Sequence, residues 1–292
     1  MLSSNTKFKK NKDGGKYMYL YQIPPFCVVC SENGLPSSTL SNYEISNGFE
    51  LIETTCSNGH KFKIASSHPR YAFFFDDAVA QYIKQNYRES LVSLYTTLEL
   101  FWTDFSAAYC LHTAEIDIPD LIHAYTSGSL KLSERKYGAF VNSFSLFYKK
   151  IIGESNDDII GKKLHKKIES LRNLRNNVIH NGHILNDAEK IKLKSQIYDV
   201  YLYIKAIEDT FVITHTIHAI DGTTNISIID MYYSKISSYL LNQESQDTDY
   251  TFVNDNAYLT LLSMFNLKTN KKNDFNDLSQ EIKKRMLLTE SL

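Results

Sequence analysis

The sequence predicts a mainly α protein, a helical bundle preceded by a small β-rich module and followed by a C-terminal extension. Three observations carry that prediction. Apolar residues between Arg70 and Phe211 recur at helical spacing, the residues before His68 alternate in short strand-like runs around a cluster of Cys and His, and beyond Thr210 the helical period gives way to β-branched stretches. At 292 residues the chain has room for one large or two unequal domains, each with a core. A formal net charge of -1 provides no global field for nucleic acid, so any anion-binding surface is local. The apolar stretch Val200–Ile217 is interrupted by Lys205, Glu208 and Asp209 and cannot span a bilayer. No period repeats along the chain, which argues against a solenoid.

Met1–Gly15 holds Lys7, Lys9, Lys10 and Lys12, lacks periodicity and reads as a flexible basic arm. Residues 16–68 form the β-rich module. Tyr17–Tyr21 favours an extended segment, Pro24-Pro25 leads into Cys27 and Cys30, and a tight turn brings those two thiolates together. After a loop rich in Ser and Gly, Phe49–Glu53 alternates as a strand, Cys56 and His60 flank the turn signal Asn58-Gly59, and Lys61–Ile64 alternates again. The apolar patch Tyr17–Val29 ends near a Cys pair rather than a small-residue cleavage site, which makes a poor signal peptide. The order Cys-x2-Cys, a 25-residue spacer, then Cys-x3-His resembles a zinc ribbon with a three-cysteine, one-histidine site. That resemblance implies zinc held by Cys27, Cys30, Cys56 and His60 in a closed site with no open position for substrate, hence a structural role. The bland reading of the same residues is three buried small hydrophobes and a turn histidine. Clustered metal ligands in place of a disulfide framework fit a reducing compartment and place the chain in the cytoplasm. His68 reads as a surface loop residue and Cys110 as a buried small one.

Residues 70–212 form the helical domain. From Arg70 to His112, Ala78, Tyr82, Tyr87, Leu91, Leu94, Leu98, Phe101 and Phe105 line one stripe, in two helices or one kinked helix. Ile118-Pro119 opens a helix that runs to Thr126 and closes at Ser127-Gly128-Ser129. Leu132–Ile152 is amphipathic through Tyr137, Phe140, Val141, Phe144, Phe147 and Tyr148, and ends at Gly153. Asn156-Asp157-Asp158 caps the next helix, where Leu164, Ile168, Leu171, Arg175 and Val178 recur at steps of 4, 3, 4 and 3. A guanidinium on that interior-facing side needs an anion, a cleft or a subunit interface. Asn176 and His180 share the neighbouring face. Gly182 is the left-handed cap, so His180 lies in the last turn, where the helix dipole favours imidazolium. Asn186-Asp187-Ala188-Glu189 is a capping box for a helix carrying Ile191, Ile197, Val200, Tyr201, Ile204 and Phe211. Residues 213–292 are the extension. Its β-branched stretches Ile213–Ile217 and Ile226–Ile229 around Asp221-Gly222 read either as a hairpin or as a continuation of the preceding helix; helices over Asp230–Leu241 and Asn256–Leu267 follow, then a charged tail from Lys268 with room for one more surface helix. His215 and His218 have no acid or Cys placed to complete a metal site and read as ordinary polar positions.

The hexapeptide Arg175-Asn176-Asn177-Val178-Ile179-His180 resembles the Arg-x4-His motif of the HEPN superfamily. Its setting is similar too: near the end of an amphipathic helix, before a capped helix, and after long helices that include Tyr87–Tyr95 and Leu98–Leu100. The resemblance covers roughly Tyr71 to Phe211. It implies a metal-independent endoribonuclease, with no cofactor for catalysis, in which 2′-hydroxyl attack leaves a 2′,3′-cyclic phosphate. Arg175, a permanently charged planar fork, suits stabilisation of the phosphorane; His180 suits proton transfer, and Asn176 can orient either partner. In that family an acid on an early helix can support the catalytic Arg, which points to Glu99, and a homodimer sets two motifs face to face. The family also implies a toxin or antiviral defence effector, with a regulatory or antitoxin protein as partner. Toxins silenced by nucleotidylation carry Tyr where Gly182 stands here, so that control is not implied. Lys162, Lys163, Lys166, Lys167 and Arg172, opposed on the motif helix by Glu169 alone, offer a basic surface to RNA, whether tRNA or mRNA, or else form a solvated face. Two other readings use the same residues. One is a non-catalytic nucleic-acid or nucleotide-binding module; the other is an adaptor in which Arg175 makes a buried ion pair with Glu99.

Overall fold

The computed structural model describes residues 20–23, 27–35, 41–44, 51–66, 69–114, 116–154, 161–217, 222–244, 251–255, 275–280 and 283. The protein is mainly helical and forms two compact units. One comprises Met1–His68, Tyr233–Leu259 and Lys283–Leu292, the other Pro69–Tyr232 and Thr260–Ile282. Several sequence expectations lie outside the described residues: the basic arm, His68, the Asn156–Asp158 cap, His218 and the Asn256–Leu267 helix.

In the first unit β1 (Leu20–Ile23) is followed by a short helix, α1 (Val28–Glu32), and then by β2 (Ser41–Glu44). The two strands pair antiparallel, Leu20 opposite Glu44. The sequence predicts Cys27 and Cys30 on a tight turn and residues 41–44 in a loop. Instead Cys27 caps α1 and the Ser31 N–H returns to the Cys27 carbonyl at 3.0 Å, so Cys27 and Cys30 are one helical turn apart. Next, β3 (Ile52–Thr55) and β4 (Lys61–Ser66) form an antiparallel hairpin in the register Ile52–Ile64. Its tip is the Cys56–His60 turn, with Gly59 at φ 84, a left-handed value that suits glycine.

The helical unit begins with α2 (Arg70–Ile83) and α3 (Tyr87–Thr113), so the long apolar stripe is carried by two helices. Gln85 at φ 63 breaks the chain between them, and the Asn86 N–H closes the turn on the Gln81 carbonyl at 2.9 Å. At 27 residues α3 spans about 40 Å. It packs against α2 and against α4 (Ile118–Thr126), α5 (Ser133–Tyr148), α6 (Lys162–His180) and α7 (Asp187–Glu208). The core between them is aromatic: Phe105 stacks on Phe211 with centroids 4.0 Å apart and meets Phe140 edge-on at 5.2 Å. Each such ring stabilises the unit by about 1.5–3 kcal/mol through burial. Within it the carboxylate of Asp104, fully buried, accepts from Arg70 Nη2 at 2.8 Å.

Helix α5 stops at Tyr148, four residues before the expected Ile152, because Lys149 turns left-handed at φ 56. Gly161 is the N-cap of α6, and the predicted capping box at Asn186 and Glu189 opens α7 with both of its hydrogen bonds made. After α7 the strands β5 (Val212–Ile217) and β6 (Gly222–Ser227) form an antiparallel hairpin, Val212 opposite Ser227. Ile228 and Ile229, expected in the second strand, begin α8 (Ile228–Glu244) instead. Ser227 explains the switch: its Oγ accepts from the Asp230 N–H at 3.2 Å, an N-cap that outweighs the β preference of the isoleucines. The boundary between the two units falls within α8. A last strand, β7 (Thr251–Asp255), pairs parallel with β4, Phe62 opposite Thr251, and completes the three-stranded sheet of the first unit. In the helical unit, residues 275–280 are helical, with the Phe275 ring against Tyr82 at 5.0 Å and beneath the Lys194 ammonium at 5.2 Å. Among the described residues, no helix is long and apolar enough to cross a membrane.

Candidate active site and metal centre

Leu164, Ile168, Leu171, Leu174 and Val178 form the buried stripe of α6. Arg175 lies at its edge, half-buried, with its guanidinium carbon 5.1 Å from the centre of the Tyr95 ring on α3. A cation–π contact is thus what accommodates the charge. Tyr95 is buried, its hydroxyl 3.4 Å from Ser133 Oγ, and burial pushes its pKa up, so the ring stays neutral. From this seat Arg175 Nη1 donates to Asn176 Oδ1 at 3.0 Å and to His180 Nε2 at 3.2 Å. Because a guanidinium only donates, Nε2 is the acceptor, and the imidazole in this arrangement is neutral with its proton on Nδ1. Among the described residues no protein group accepts from Arg175 Nε or Nη2. That edge carries the parallel N–H pair with which arginine grips a phosphate bidentately.

The end of α6 is built as its sequence directs. His180 is the last helical residue, Asn181 caps it, Gly182 turns left-handed at φ 65, and the His183 N–H returns to the Asn177 carbonyl at 3.2 Å. His183 Nε2 then pairs with the Glu189 carboxylate at 2.8 Å, tying the turn to the start of α7. The Asn186 backbone N–H and that histidine hold the Glu189 carboxyl below its usual range.

The remaining predicted residues divide. The structure does not bring Glu99 to Arg175: among the described residues no ion pair joins them, and Tyr95, one turn earlier on α3, makes the contact instead. Glu99 acts electrostatically on Tyr95 and on Lys136, a half-buried lysine whose pKa is lowered chiefly by burial. Lys167 is engaged with Asp199 of α7 at 2.6 Å, and Lys162 pairs with Glu154 at 3.6 Å. Lys163 and Lys166 are exposed, but at about 100° per residue Lys166 lies on the side of α6 opposite Arg175. Of the basic set only Arg172 joins Arg175 in acting on Tyr95. Tyr95 and Ser133 were not legible as site residues, since nothing in their own stretches distinguishes them from core and cap. The same holds for a neighbouring group, Tyr137 Oη 3.1 Å from His165 Nε2, with Glu169 4.0 Å from that nitrogen.

In the other unit Cys27, Cys30, Cys56 and His60 converge, every ligand atom within 4.8 Å of the others. Cys30 Sγ and Cys56 Sγ are 3.7 Å apart, and His60 Nδ1 stands 3.7, 3.3 and 3.4 Å from Cys27, Cys30 and Cys56. Zinc bonds of about 2.3 Å to sulfur and about 2.05 Å to nitrogen, set tetrahedrally, put sulfurs about 3.8 Å apart and sulfur about 3.6 Å from nitrogen. Four of the six edges therefore match a zinc tetrahedron, the two from Cys27 to the other sulfurs lie within 4.8 Å, and the cysteines are free thiols, with Cys30 and Cys56 far beyond the roughly 2.05 Å of a disulfide. Donors already aim at the sulfurs: the His60 N–H at Cys56 from 3.3 Å and Asn58 Nδ2 at Cys30 from 3.1 Å. Burial pushes the Cys56 thiol up, but hydrogen bonds from the backbone of His60 and Asn58 outweigh it and bring the pKa to about 7. Burial raises Cys27. Phe62 closes the cluster from the hairpin side. These residues fit a divalent ion of zinc's preferences with no vacant ligand position.

Compared with protein-family models, curated proteins and solved structures, the chain matches none of them.

Proposed function

We propose that the chain is a HEPN-type, metal-independent endoribonuclease, acting in the cytoplasm as a homodimeric toxin or antiviral defence effector, with a zinc-ribbon-like module at its N-terminus. One observation carries the reading. Arg175 Nη1 rests 3.2 Å from His180 Nε2, and among the described residues no protein group accepts from its Nε or Nη2, so a guanidinium with donors left for a phosphate stands next to a base. A mainly helical unit around α6 and the capped α6–α7 junction support the reading.

In this mechanism the scissile phosphate binds donors of Arg175 that no protein group occupies among the described residues. Asn176 Oδ1 already accepts from Nη1, so His180 Nε2 can be released to the ribose 2′-hydroxyl without leaving Nη1 bare. His180 takes the 2′-proton, the 2′-oxygen bonds to phosphorus, and the bond from phosphorus to the 5′-oxygen breaks. A proton delivered to the 5′-oxygen completes the step and leaves a 2′,3′-cyclic phosphate and a 5′-hydroxyl. The motif histidine of the partner protomer supplies that proton in the homodimer. Arg175 stabilises the charge on the phosphorane, a role whose loss costs on the order of 10²–10³ in rate. Zinc at the cysteine cluster would hold the first unit together and take no part in the reaction.

The same donors also serve a second reading, a module that binds phosphate and cuts nothing. Purified wild type and His180→Ala incubated with total RNA and with tRNA in EDTA separate the two, with product ends assayed for cyclic phosphate. Cleavage by wild type alone is expected. Cleavage that vanishes on chelation and returns with magnesium, in a protein whose fold persists by circular dichroism, would overturn the mechanism. Equal RNA retention by both proteins with no cleavage establishes the binding module.

A further inference from the structure

The seat of Arg175 is as specific as its partners. Tyr95 comes from another helix, 80 positions earlier in the chain, and its ring is fixed from two directions: the hydroxyl lies 3.4 Å from Ser133 Oγ, and Trp102 meets the ring edge-on at 6.1 Å and 86°. Both rings are buried. Without this seat Arg175 would have, among the described residues, only Asn176 and His180, two groups on its own helix, as hydrogen-bond partners to define its position. Arginine carries four rotatable bonds, and a mobile guanidinium neither presents a fixed edge to phosphate nor holds a donor against a particular imidazole nitrogen.

We propose that Tyr95 is the positioning residue of this site: its ring face sets the guanidinium of Arg175, and through it fixes the proton of His180 on Nδ1. The proposal rests on the ribonuclease reading for its consequence in rate, but not for its consequence in protonation. The contact chain Tyr95, Arg175, His180 has one prediction at each link. Replacing the ring by an aliphatic group releases Arg175; the imidazole loses the donor at Nε2, and its two neutral tautomers re-equilibrate. An RNA chain binds through several of its phosphates, so substrate affinity changes little, whereas the geometry needed in the transition state is lost. Displacement of a catalytic group by about 1 Å can cost on the order of 10²-fold in kcat.

The test uses the full-length protein with its metal retained. Tyr95→Phe keeps the ring face, Tyr95→Leu removes it, and replacement of Tyr95 by trifluorophenylalanine keeps the shape while withdrawing the π charge that attracts a cation. Two readouts are taken: kcat and KM on RNA, and the tautomer of His180 from the 15N shifts of its ring nitrogens. Expected are a Phe variant within about threefold of wild type, and Leu and trifluorophenylalanine variants reduced by roughly 10-fold to 10²-fold in kcat at nearly unchanged KM. Loss of the Nδ1–H signature of His180 should follow the same order. If Tyr95→Leu fails to fold, the fluorinated ring still decides, because it preserves packing. A fluorinated variant equal to Tyr95→Phe in both readouts overturns the proposal, as does a Phe variant as damaged as Leu. Should wild type not cut RNA at all, the ribonuclease reading falls, and the tautomer series still decides whether Tyr95 sets the Arg175–His180 contact.

Discussion

The cysteine cluster and the Arg175–His180 pair are both short spaced motifs, yet they are completed in different ways. Two short stretches, Cys27–Cys30 and Cys56–His60, supply all four metal-ligand atoms, and the Cys56–His60 turn aims N–H donors at Cys56 and at Cys30. The Arg175–His180 pair is complete as a stretch of α6, but its geometry is set by Tyr95 on α3. A metal ion collects its ligands by bonding to them, so local spacing nearly suffices. A guanidinium is held by weak contacts of about 0.5–2 kcal/mol, so its placement depends on what tertiary packing puts beneath it.

The largest expected effect breaks the comparison at the metal side. Zinc binding to a closed site of this kind is worth about 10–16 kcal/mol to the fold it organises. One zinc per chain is expected by elemental analysis. Cys56→Ala, or prolonged chelation, should unfold the first unit while the helical unit keeps its ellipticity, with limited proteolysis mapping the loss to the residues around the cluster. A metal-free protein with an unchanged first unit would reduce Cys27, Cys30 and Cys56 to small buried hydrophobes.

Next in size is a contrast between two arginines of the helical unit. Arg70 meets Asp104, a carboxylate with no exposure, so Asp104→Ala breaks a buried ion pair and should cost about 3–5 kcal/mol in urea unfolding. Arg175 is half-buried, held by a ring and two exposed hydrogen bonds, so Arg175→Ala should cost about 1 kcal/mol while abolishing function. Similar losses from both would mean that Arg175 is a structural residue. A smaller effect sharpens the same point at the helix junction: Asn186→Ala removes the capping box and should cost about 1 kcal/mol without altering His180.

Much of the helical unit was legible because its signals are local. The Gly182 cap and the Asn186–Glu189 box each follow from a few adjacent residues. Strand β7 was not legible, since its partner β4 lies almost 190 positions earlier and a parallel pairing leaves no turn signal to read. Ile228 and Ile229 misled for the opposite reason: their β-branched side chains are a weak preference, and the Ser227 cap overrode it. From sequence alone the basic residues of α6 read as an RNA surface or a solvated face, whereas Asp199, contributed by α7, takes up Lys167. Charge is visible in a sequence; its neutralisation by a residue 32 positions away is not.

The smallest effect concerns His165, which tests whether a histidine one helix face away from the motif behaves as packing or as a site. Its side chain is mostly buried, with Tyr137 Oη 3.1 Å from Nε2, and among the described residues its buried Nδ1 has no hydrogen-bond partner. Gly153 lies so close over the ring that a Cβ there would come within 2.7 Å of it. A protonated ring would bury an N–H with nothing to accept it, so the neutral form with Nε2–H directed at Tyr137 is favoured. Burial accordingly lowers the His165 pKa below its ordinary value of 6.5; Glu169 and Glu154 pull upward and Arg172 downward, without reversing the shift. The unfolded chain takes up a proton near pH 6.5 that the folded chain refuses. The stabilisation is therefore complete above that pH and is lost as the pH falls toward the folded pKa, with a slope of at most about 1.4 kcal/mol per pH unit. Urea unfolding of wild type and His165→Asn between pH 8 and pH 5 should show the wild type losing its advantage below pH 6.5. A difference that stays constant across that range would mean that His165 binds its proton equally in both states, and that the enclosure around its ring is open to water.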